Sequence, residues 1–192
     1  MLKQLSVICI SATMTLILPL SARCQMVVHA VSGTVKSVDS KTKSITIAVD
    51  QSDDMQFKIQ SGAPPALTFD PELRGDAVDA SKFDGKGDFV VVYYYGFDTD
   101  RTAVAIKDFG KGQLEKLSGT VTAFDRHNHA LTVRTSDGKT EKFQLDDKAV
   151  VDTGMGLESG RKYGPGKGDS VRVTATNSNG KDVAVFVRSS GA

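Results

Sequence analysis

The sequence lacks tryptophan, and its 192 residues include only two cysteines and five prolines. Two cysteines cannot form a disulfide framework or a four-cysteine zinc site. The formal net charge of +1 gives no bulk attraction to nucleic acid. No stretch of a dozen residues repeats its apolar positions with the period of a helix. A hydrophobic content of 40% with 24% charged residues is typical of a globular domain, so we expect a helix-poor globular protein.

The N-terminus carries an apolar run from Leu5 to Leu18, which follows a single cation, Lys3, and ends at Pro19. The run is shorter than the roughly 20 residues that a membrane-spanning helix needs. A cation followed by a short apolar stretch is the layout of a secretory signal peptide. We therefore predict a signal peptide over residues 1–24, a mature chain without a transmembrane segment, and a periplasmic or secreted location.

The cleavage position is open between residues 22 and 30, because small residues suit cleavage after Ala22, Cys24 or Ala30. Arg23 stands directly before Cys24 and departs from the lipobox pattern, so we expect no lipid anchor at Cys24. Removal of Lys3 and Arg23 with the signal peptide leaves a net charge of −1. In two of the three cases the mature chain has no thiol, and its stability then rests on apolar cores alone.

An internal repeat organises the rest of the sequence. Residues 31–39, VSGTVKSVD, match residues 117–125, LSGTVTAFD, at an offset of 86. Further on, the Gly-Lys-Gly-Asp segment 85–88 matches 166–169 at an offset of 81. Because the matched segments keep one order in both halves, we predict that the two halves arose by duplication and share one fold.

Each half consists of short segments in which apolar and polar residues alternate, as in Ile45, Thr46 and Ile47. This period of two is typical of strands with one buried face. Five such strands with a break after the third follow the order of an OB-like Greek-key barrel. We therefore predict an all-β protein of two tandem five-stranded OB-like barrels, with a two-sheet sandwich as the alternative. The predicted domains are OB-like barrel 1 over 31–107, a linker over 108–116 and OB-like barrel 2 over 117–192.

The motif V-x-G-x-V-x-x-V-D at residues 31–39, with an alternating strand and G-D-x-V-x-V after it, carries a resemblance. It resembles secreted bacterial small β-barrel (OB-like) repeat domains of unknown function. It is also similar in outline to the barrel of periplasmic copper/silver-efflux metallochaperones, whose metal site uses a tryptophan with methionine and histidine. This sequence has no tryptophan and lacks that metal motif, so no cofactor is predicted.

The two halves differ most in the strand after the Gly-Lys-Gly-Asp turn. In the second half, Val171 and Val173 alternate with polar residues, whereas the outward positions of the first half are apolar or aromatic. These outward residues are Phe89, Val91, Tyr93 and Tyr95. An apolar stripe of this size marks a contact surface. Three interpretations stay open, namely docking between the barrels (or cover by residues 60–84), a protein partner or self-association, and a ligand face that stacks a base or a sugar.

A turn with two histidines, His127 and His129, is the most metal-like feature of the sequence, and Asp125 lies close to it. Two imidazoles at this spacing can share a cation. The matching positions of the first half are Lys41 and Lys43, so the turn requires only solvated polar side chains. We predict no metal site and keep this histidine pair as the alternative.

The carboxylates Asp146, Asp147 and Asp152 lie close together in the second half. They lack the alternating D-x-D-x-D-G pattern of a calcium loop. We therefore predict that all three are solvated turn residues.

No acid–base or nucleophile constellation is visible, so we do not expect an enzyme. The predicted function is an exported non-enzymatic binding or structural module of the bacterial envelope. It would use the outward strand face of barrel 1 for inter-barrel docking or partner contact, and no nucleic acid is expected. Two alternatives stay open: a periplasmic metal-handling protein that uses the His127/His129 turn, and an OB module that binds an oligonucleotide or a saccharide.

Overall fold

A computed structural model describes residues 26–49, 54–60, 71–112, 114–178 and 180–190. The predicted signal peptide over 1–24, with Cys24, lies outside these residues. Within them, strands form two separate six-stranded sheets, and the helical part is a single short α-helix with two 3-10 turns. The all-β prediction is therefore confirmed. None of the described helices is long and apolar enough to cross a membrane.

The first sheet closes into a barrel. Its elements are β1 (His29–Asp39), β2 (Ser44–Ala48), β3 (Asp54–Ile59), α1 (Pro71–Arg74), β4 (Val78–Asp79), β5 (Phe89–Tyr95) and β6 (Thr102–Asp108). The strand order is β3-β2-β1-β5-β6-β4, and β3 also pairs with β6 in parallel. Five strands therefore form a ring without a free edge. The short β4 pairs with β6 next to the contact between β3 and β6.

The second sheet repeats this connectivity. Its strands are β7 (Glu115–Asp125), β8 (Ala130–Arg134), β9 (Thr140–Asp152), β10 (Leu157–Ser159), β11 (Ser170–Ser178) and β12 (Lys181–Ser190). The order is β10-β9-β12-β11-β7-β8, with β9 also paired to β8. The ring of β7, β8, β9, β12 and β11 therefore matches that of β1, β2, β3, β6 and β5. The ring of the first sheet is barrel 1, and the ring of the second sheet is barrel 2.

Apolar side chains at alternate positions of the strands fill the interior of each barrel. Val90, Val92 and Tyr94 of β5 pack into the core of barrel 1, together with Ile45 and Phe57. In barrel 2 the corresponding core contains Val171, Val173 and Ala175 of β11. Because successive strand residues point to opposite faces, the residues between these positions point out of the barrels.

Two strands are longer than the sequence indicates. β1 begins at His29, because His29 and Ala30 pair with Tyr94 and Tyr93 of β5. β9 continues to Asp152, because it changes partners and pairs with β10 and, in parallel, with β12 after it leaves β8. Long-range pairing thus extends strands that local alternation ends earlier.

Gly33 and Gly119 occupy the same place in the two copies of the repeated motif. A Cβ atom on Gly33 would lie 2.5 Å from the carbonyl oxygen of Ala48. A Cβ atom on Gly119 would meet the carbonyl oxygen of Arg134 in the same way. In both barrels, therefore, the first two strands approach each other too closely for any side chain at this position.

Gly119→Ala is expected to lower the free energy of unfolding by about 2 kcal/mol or more, since the clash is with backbone. Urea denaturation followed by far-UV circular dichroism measures this change. Gly112→Ala is the matched control, because nothing lies within 4 Å of its added Cβ, and we expect a change below about 0.5 kcal/mol. Equal effects of the two substitutions would contradict the close approach of β7 and β8.

Candidate functional site

Most of the predicted contact face of barrel 1, formed by Phe89, Val91, Tyr93 and Tyr95, is buried in the structure. Val91 and Tyr93 are both 0% exposed, Phe89 is 5% exposed, and Tyr95 is half-buried. The ring of Phe89 packs edge-on against that of Phe109, with centroids 6.4 Å apart. The Tyr95 hydroxyl donates a hydrogen bond of 3.0 Å to Oε1 of Gln60. The four side chains therefore do not form one open surface.

Val91 and Tyr93 belong to an apolar cluster between the two barrels, here called the junction cluster. Its buried members are Val28, Ala30, Leu73, Val91, Tyr93 and Ala105 from the first half, and Val150 and Phe186 from the second. The Tyr93 hydroxyl donates to the carbonyl oxygen of Leu73 at 2.9 Å. Burial, helped by the charge of Asp76, raises the pKa of Tyr93 far above its usual value, so the hydroxyl stays a donor. A separate partner could reach Val91 or Tyr93 only if the barrels came apart.

A buried carboxylate completes the junction. Asp152, at the end of β9, is 0% exposed. Its Oδ2 accepts the backbone N–H of Ala30 at 3.0 Å, and its Oδ1 accepts that of Gly154 at 2.9 Å. Nδ1 of His29 lies 3.4 Å from Oδ1 of Asp152. The expectation of a solvated turn residue is thus wrong for Asp152, because β1 of the other barrel covers it and provides donors.

Further polar contacts join the barrels. The hydroxyl oxygens of Ser32 and Thr174 lie 3.1 Å apart and are buried. Nζ of Lys107 donates to the carbonyl oxygen of Lys148 at 3.3 Å. Burial lowers the pKa of Lys107, partly offset by the charges of nearby carboxylates. The junction is therefore an apolar cluster flanked by hydrogen bonds.

The histidine turn is organised by Asp125. Oδ1 of Asp125 accepts the backbone N–H groups of His127 and Asn128, and Oδ2 accepts Nδ2 of Asn128 at 2.7 Å. These hydrogen bonds, led by the Asn128 side chain, lower the pKa of Asp125. Nδ1 of His129 lies 3.4 Å from Oδ1 of Asp147. Across the described ranges, no three His, Cys, Asp or Glu side chains are grouped so that they could hold a metal ion.

An open, polar groove of about 680 Å³ crosses the outward face of barrel 2, and sequence reasoning did not single it out. Its lining contains three arginines, six residues with hydroxyl groups, and two other residues. They are Arg134, Arg172 and Arg188; Ser118, Thr120, Thr135, Ser136, Ser170 and Ser190; and Gly119 and Val171. No acidic or aromatic side chain is among these described lining residues. The groove is therefore positively charged and rich in hydrogen-bonding groups.

Strand register arranges the groove side chains in two rows. The first row, along β8, β7, β11 and β12, is Arg134, Thr120, Ser170 and Ser190. The second row, along β7, β11 and β12, is Ser118, Arg172 and Arg188. All seven residues are exposed, whereas the valines between them point into the core. The rows are two residues apart along each strand, which is roughly 7 Å.

Arg172 and Arg188 stand directly opposite each other on β11 and β12. Like charges at opposed positions of a sheet destabilise it. Guanidinium groups bind phosphate, sulfate and carboxylate through paired N–H donors. Arg188 is also in register with Asp152 of β9, whose carboxylate accepts backbone N–H groups in the junction. The arrangement is suited to binding an anion.

The groove could not be found from local patterns, because its arginines are distant in the sequence. The repeat alignment contains one indication of the groove. The positions of Arg134 and Arg172 are charged in the second half, whereas the first half has Ala48 and Val91 there. The same face is thus covered in barrel 1 and open in part of barrel 2. Comparisons with models of known protein families and with curated proteins found no match. The geometry alone carries the functional argument.

Proposed function

We propose that the chain is an exported, non-enzymatic binding module of the bacterial envelope that binds oxyanions in the groove of barrel 2. The observation that carries this proposal is the groove itself, which is lined by three exposed arginines and six hydroxyl-bearing residues of the sheet and the turn after β8. Neutral hydroxyl groups and guanidinium groups together form a binding surface for phosphate or sulfate groups. The outward face of barrel 1 serves for docking between the barrels.

We propose that each barrel is an OB-like unit and that the two form a tandem repeat. The shared strand order of the two rings supports this assignment, as do the equivalent close approaches at Gly33 and Gly119. The resemblance of the motif at residues 31–39 to secreted small-barrel domains agrees with it. On this view, duplication produced two copies of one face, and docking left only part of one copy open.

Export with cleavage before Met26 forms part of the proposal. Val28 and Ala30 are 3% and 0% exposed in the junction cluster, and His29 begins β1. Cleavage after Ala30 would remove these residues from the core. Cleavage after Ala22 or Cys24 keeps them.

N-terminal sequencing of the protein from a periplasmic fraction is expected to give a chain that starts at residue 23 or 25. A chain that starts at Val31 would contradict the role of Val28 and Ala30 in the junction. Replacement of Leu16 and Leu18 by arginine in the apolar run should retain the protein in the cytoplasm, because the signal would no longer be recognised.

A nucleobase or a sugar ring would find no stacking partner in the groove, because no aromatic side chain is among its described lining residues. Base stacking on aromatic side chains supplies much of the affinity of OB modules for single strands. The net charge of 0 or −1, after cleavage at Ala22 or Cys24 respectively, also offers no bulk attraction to nucleic acid. The favoured ligand is therefore one whose own phosphate or sulfate groups reach the arginines.

Chromatography on phosphocellulose tests the proposed function with immobilised phosphate. The mature protein should be retained at low salt, whereas the double variant Arg172→Gln/Arg188→Gln should pass through the column. Arg161→Gln/Lys167→Gln is the matched control, since it also removes two positive charges, but from exposed positions of barrel 2 outside the groove. Equal elution of the double variant and the control would contradict binding in the groove.

A further inference from the structure

We infer that the groove holds two anion subsites and takes a ligand with two or more phosphate or sulfate groups, rather than a single anion. This inference rests on the proposed function and goes beyond it in naming the ligand class. It follows from the unequal distribution of the three arginines over the two rows of the groove.

The first subsite lies between Arg172 and Arg188. These two residues are directly opposed on β11 and β12, and Ser118 of β7 continues their row. Two guanidinium groups at neighbouring positions can hold one tetrahedral oxyanion from two sides. This pair provides the charge for the first anionic group of the ligand.

The second subsite lies at Arg134, the last residue of β8. Arg134 belongs to the other row, where it is opposite Thr120. Ser136 of the following turn lines the groove beside it. The nearby carboxylate of Asp137 lies outside the groove lining and is neutralised by Lys139, whose Nζ lies 3.1 Å from Oδ2 of Asp137. A positive charge therefore remains at this end of the groove.

The strand order separates the two subsites along and across the sheet. β8 and β11 are separated by β7, so two interstrand spacings of about 4.8 Å lie between Arg134 and Arg172, and the rows add roughly 7 Å along the strands. The groove surface between the subsites is lined by Thr120 and Ser170, whose hydroxyl groups can donate hydrogen bonds to the bridging oxygens of the ligand. A chain of linked phosphates or a saccharide with several sulfate groups is long enough to contact both subsites at once.

The fold also decides where this extended site ends. Phe186 lies in the junction cluster, and Arg188, two residues further along β12, lines the groove. On β11, Thr174 contacts Ser32 of barrel 1, whereas Arg172 is exposed. The outward face of barrel 2 is therefore divided into a docked part and an open part. The open part is extended across the strands, which fits an elongated ligand.

Isothermal titration calorimetry with orthophosphate, tripolyphosphate and a longer linear polyphosphate tests this inference on the mature protein. The longer phosphates should bind at least about tenfold more tightly than orthophosphate, because the second contact becomes intramolecular. Arg134→Gln should reduce the advantage of the longer phosphates over orthophosphate to below about threefold. Arg172→Gln/Arg188→Gln should abolish binding of all three phosphates.

A sulfated oligosaccharide in a parallel titration distinguishes sulfate groups on a sugar from linked phosphates. Tighter binding of the sulfated oligosaccharide or of the longer phosphates than of orthophosphate supports two subsites.

Two results would overturn the inference. One is an advantage of the longer phosphates that Arg134→Gln leaves intact. The other is that Arg161→Gln reduces the affinity advantage of the longer phosphates as much as Arg134→Gln does, which would show that any positive charge on the protein contributes equally. If Arg134→Gln has no effect while the double variant still loses orthophosphate, only the two-subsite inference fails. If no variant changes orthophosphate binding, the proposed function itself fails. Far-UV circular dichroism of each variant establishes that the groove strands are folded.

Discussion

Tyr93→Ala is expected to lower the free energy of unfolding by roughly 3–5 kcal/mol, the usual cost of truncating a large buried aromatic side chain. The ring lies in the junction cluster at 0% exposure, and its hydroxyl donates to the carbonyl oxygen of Leu73. Because the sequence has no tryptophan, urea denaturation is best followed by far-UV circular dichroism. Tyr93→Phe keeps the ring and removes only the hydrogen bond, so it should cost about 1 kcal/mol.

Tyr95→Ala is the control for the tyrosine prediction. Tyr95 is two residues away on the same strand and faces the same side, but it is half-buried and lies outside the junction cluster. Its truncation should cost less than about 1.5 kcal/mol. Similar losses for Tyr93→Ala and Tyr95→Ala would show that the junction does not depend on this face of barrel 1.

Asp152→Ala is expected to lower the free energy of unfolding by about 2 kcal/mol, because it leaves one buried and one part-buried N–H group without an acceptor. These groups belong to Ala30 and Gly154, and Ala30 lies on the other barrel. The loss should therefore appear as weakened docking as well as lower stability. Limited proteolysis should show faster cleavage around the start of β1, where Val28 and Ala30 would lose their cover.

Asp147→Ala is the control for the carboxylate prediction. Asp147 lies on the same strand, but its side chain is 53% exposed. Removal of an exposed charge typically changes stability by less than about 0.5 kcal/mol. If Asp152→Ala is as mild as Asp147→Ala, the buried carboxylate does not hold the barrels together.

Alternation along single strands was enough to predict the interior of each barrel. Val90, Val92 and Tyr94 lie in the core because inward positions recur every two residues, and this period depends only on the local backbone. The repeat alignment alone places Gly33 and Gly119 at equivalent positions. Local chemistry is sufficient for such features because each involves one strand or one turn.

The surroundings of Asp152 and of the three groove arginines could not be predicted in the same way. A carboxylate at the end of a strand is normally solvated, and only the docking of β1 covers this one. Arg134 lies 38 residues before Arg172 and Arg188 lies 16 residues after it, and each alone is an ordinary exposed cation. Their charges act together only because β8, β7, β11 and β12 are neighbours in a closed sheet.

The sequence by itself determined the strands, the inward side of each strand and the existence of an unusually apolar face on the first half, because hydrophobic periodicity is a local property. Tertiary structure decided that barrel 2 covers Val91 and Tyr93, that Asp152 is buried, and that one part of the face of barrel 2 stays open with its arginines. The reason is that these properties depend on which surfaces meet when the barrels dock, and a one-dimensional pattern does not contain that contact.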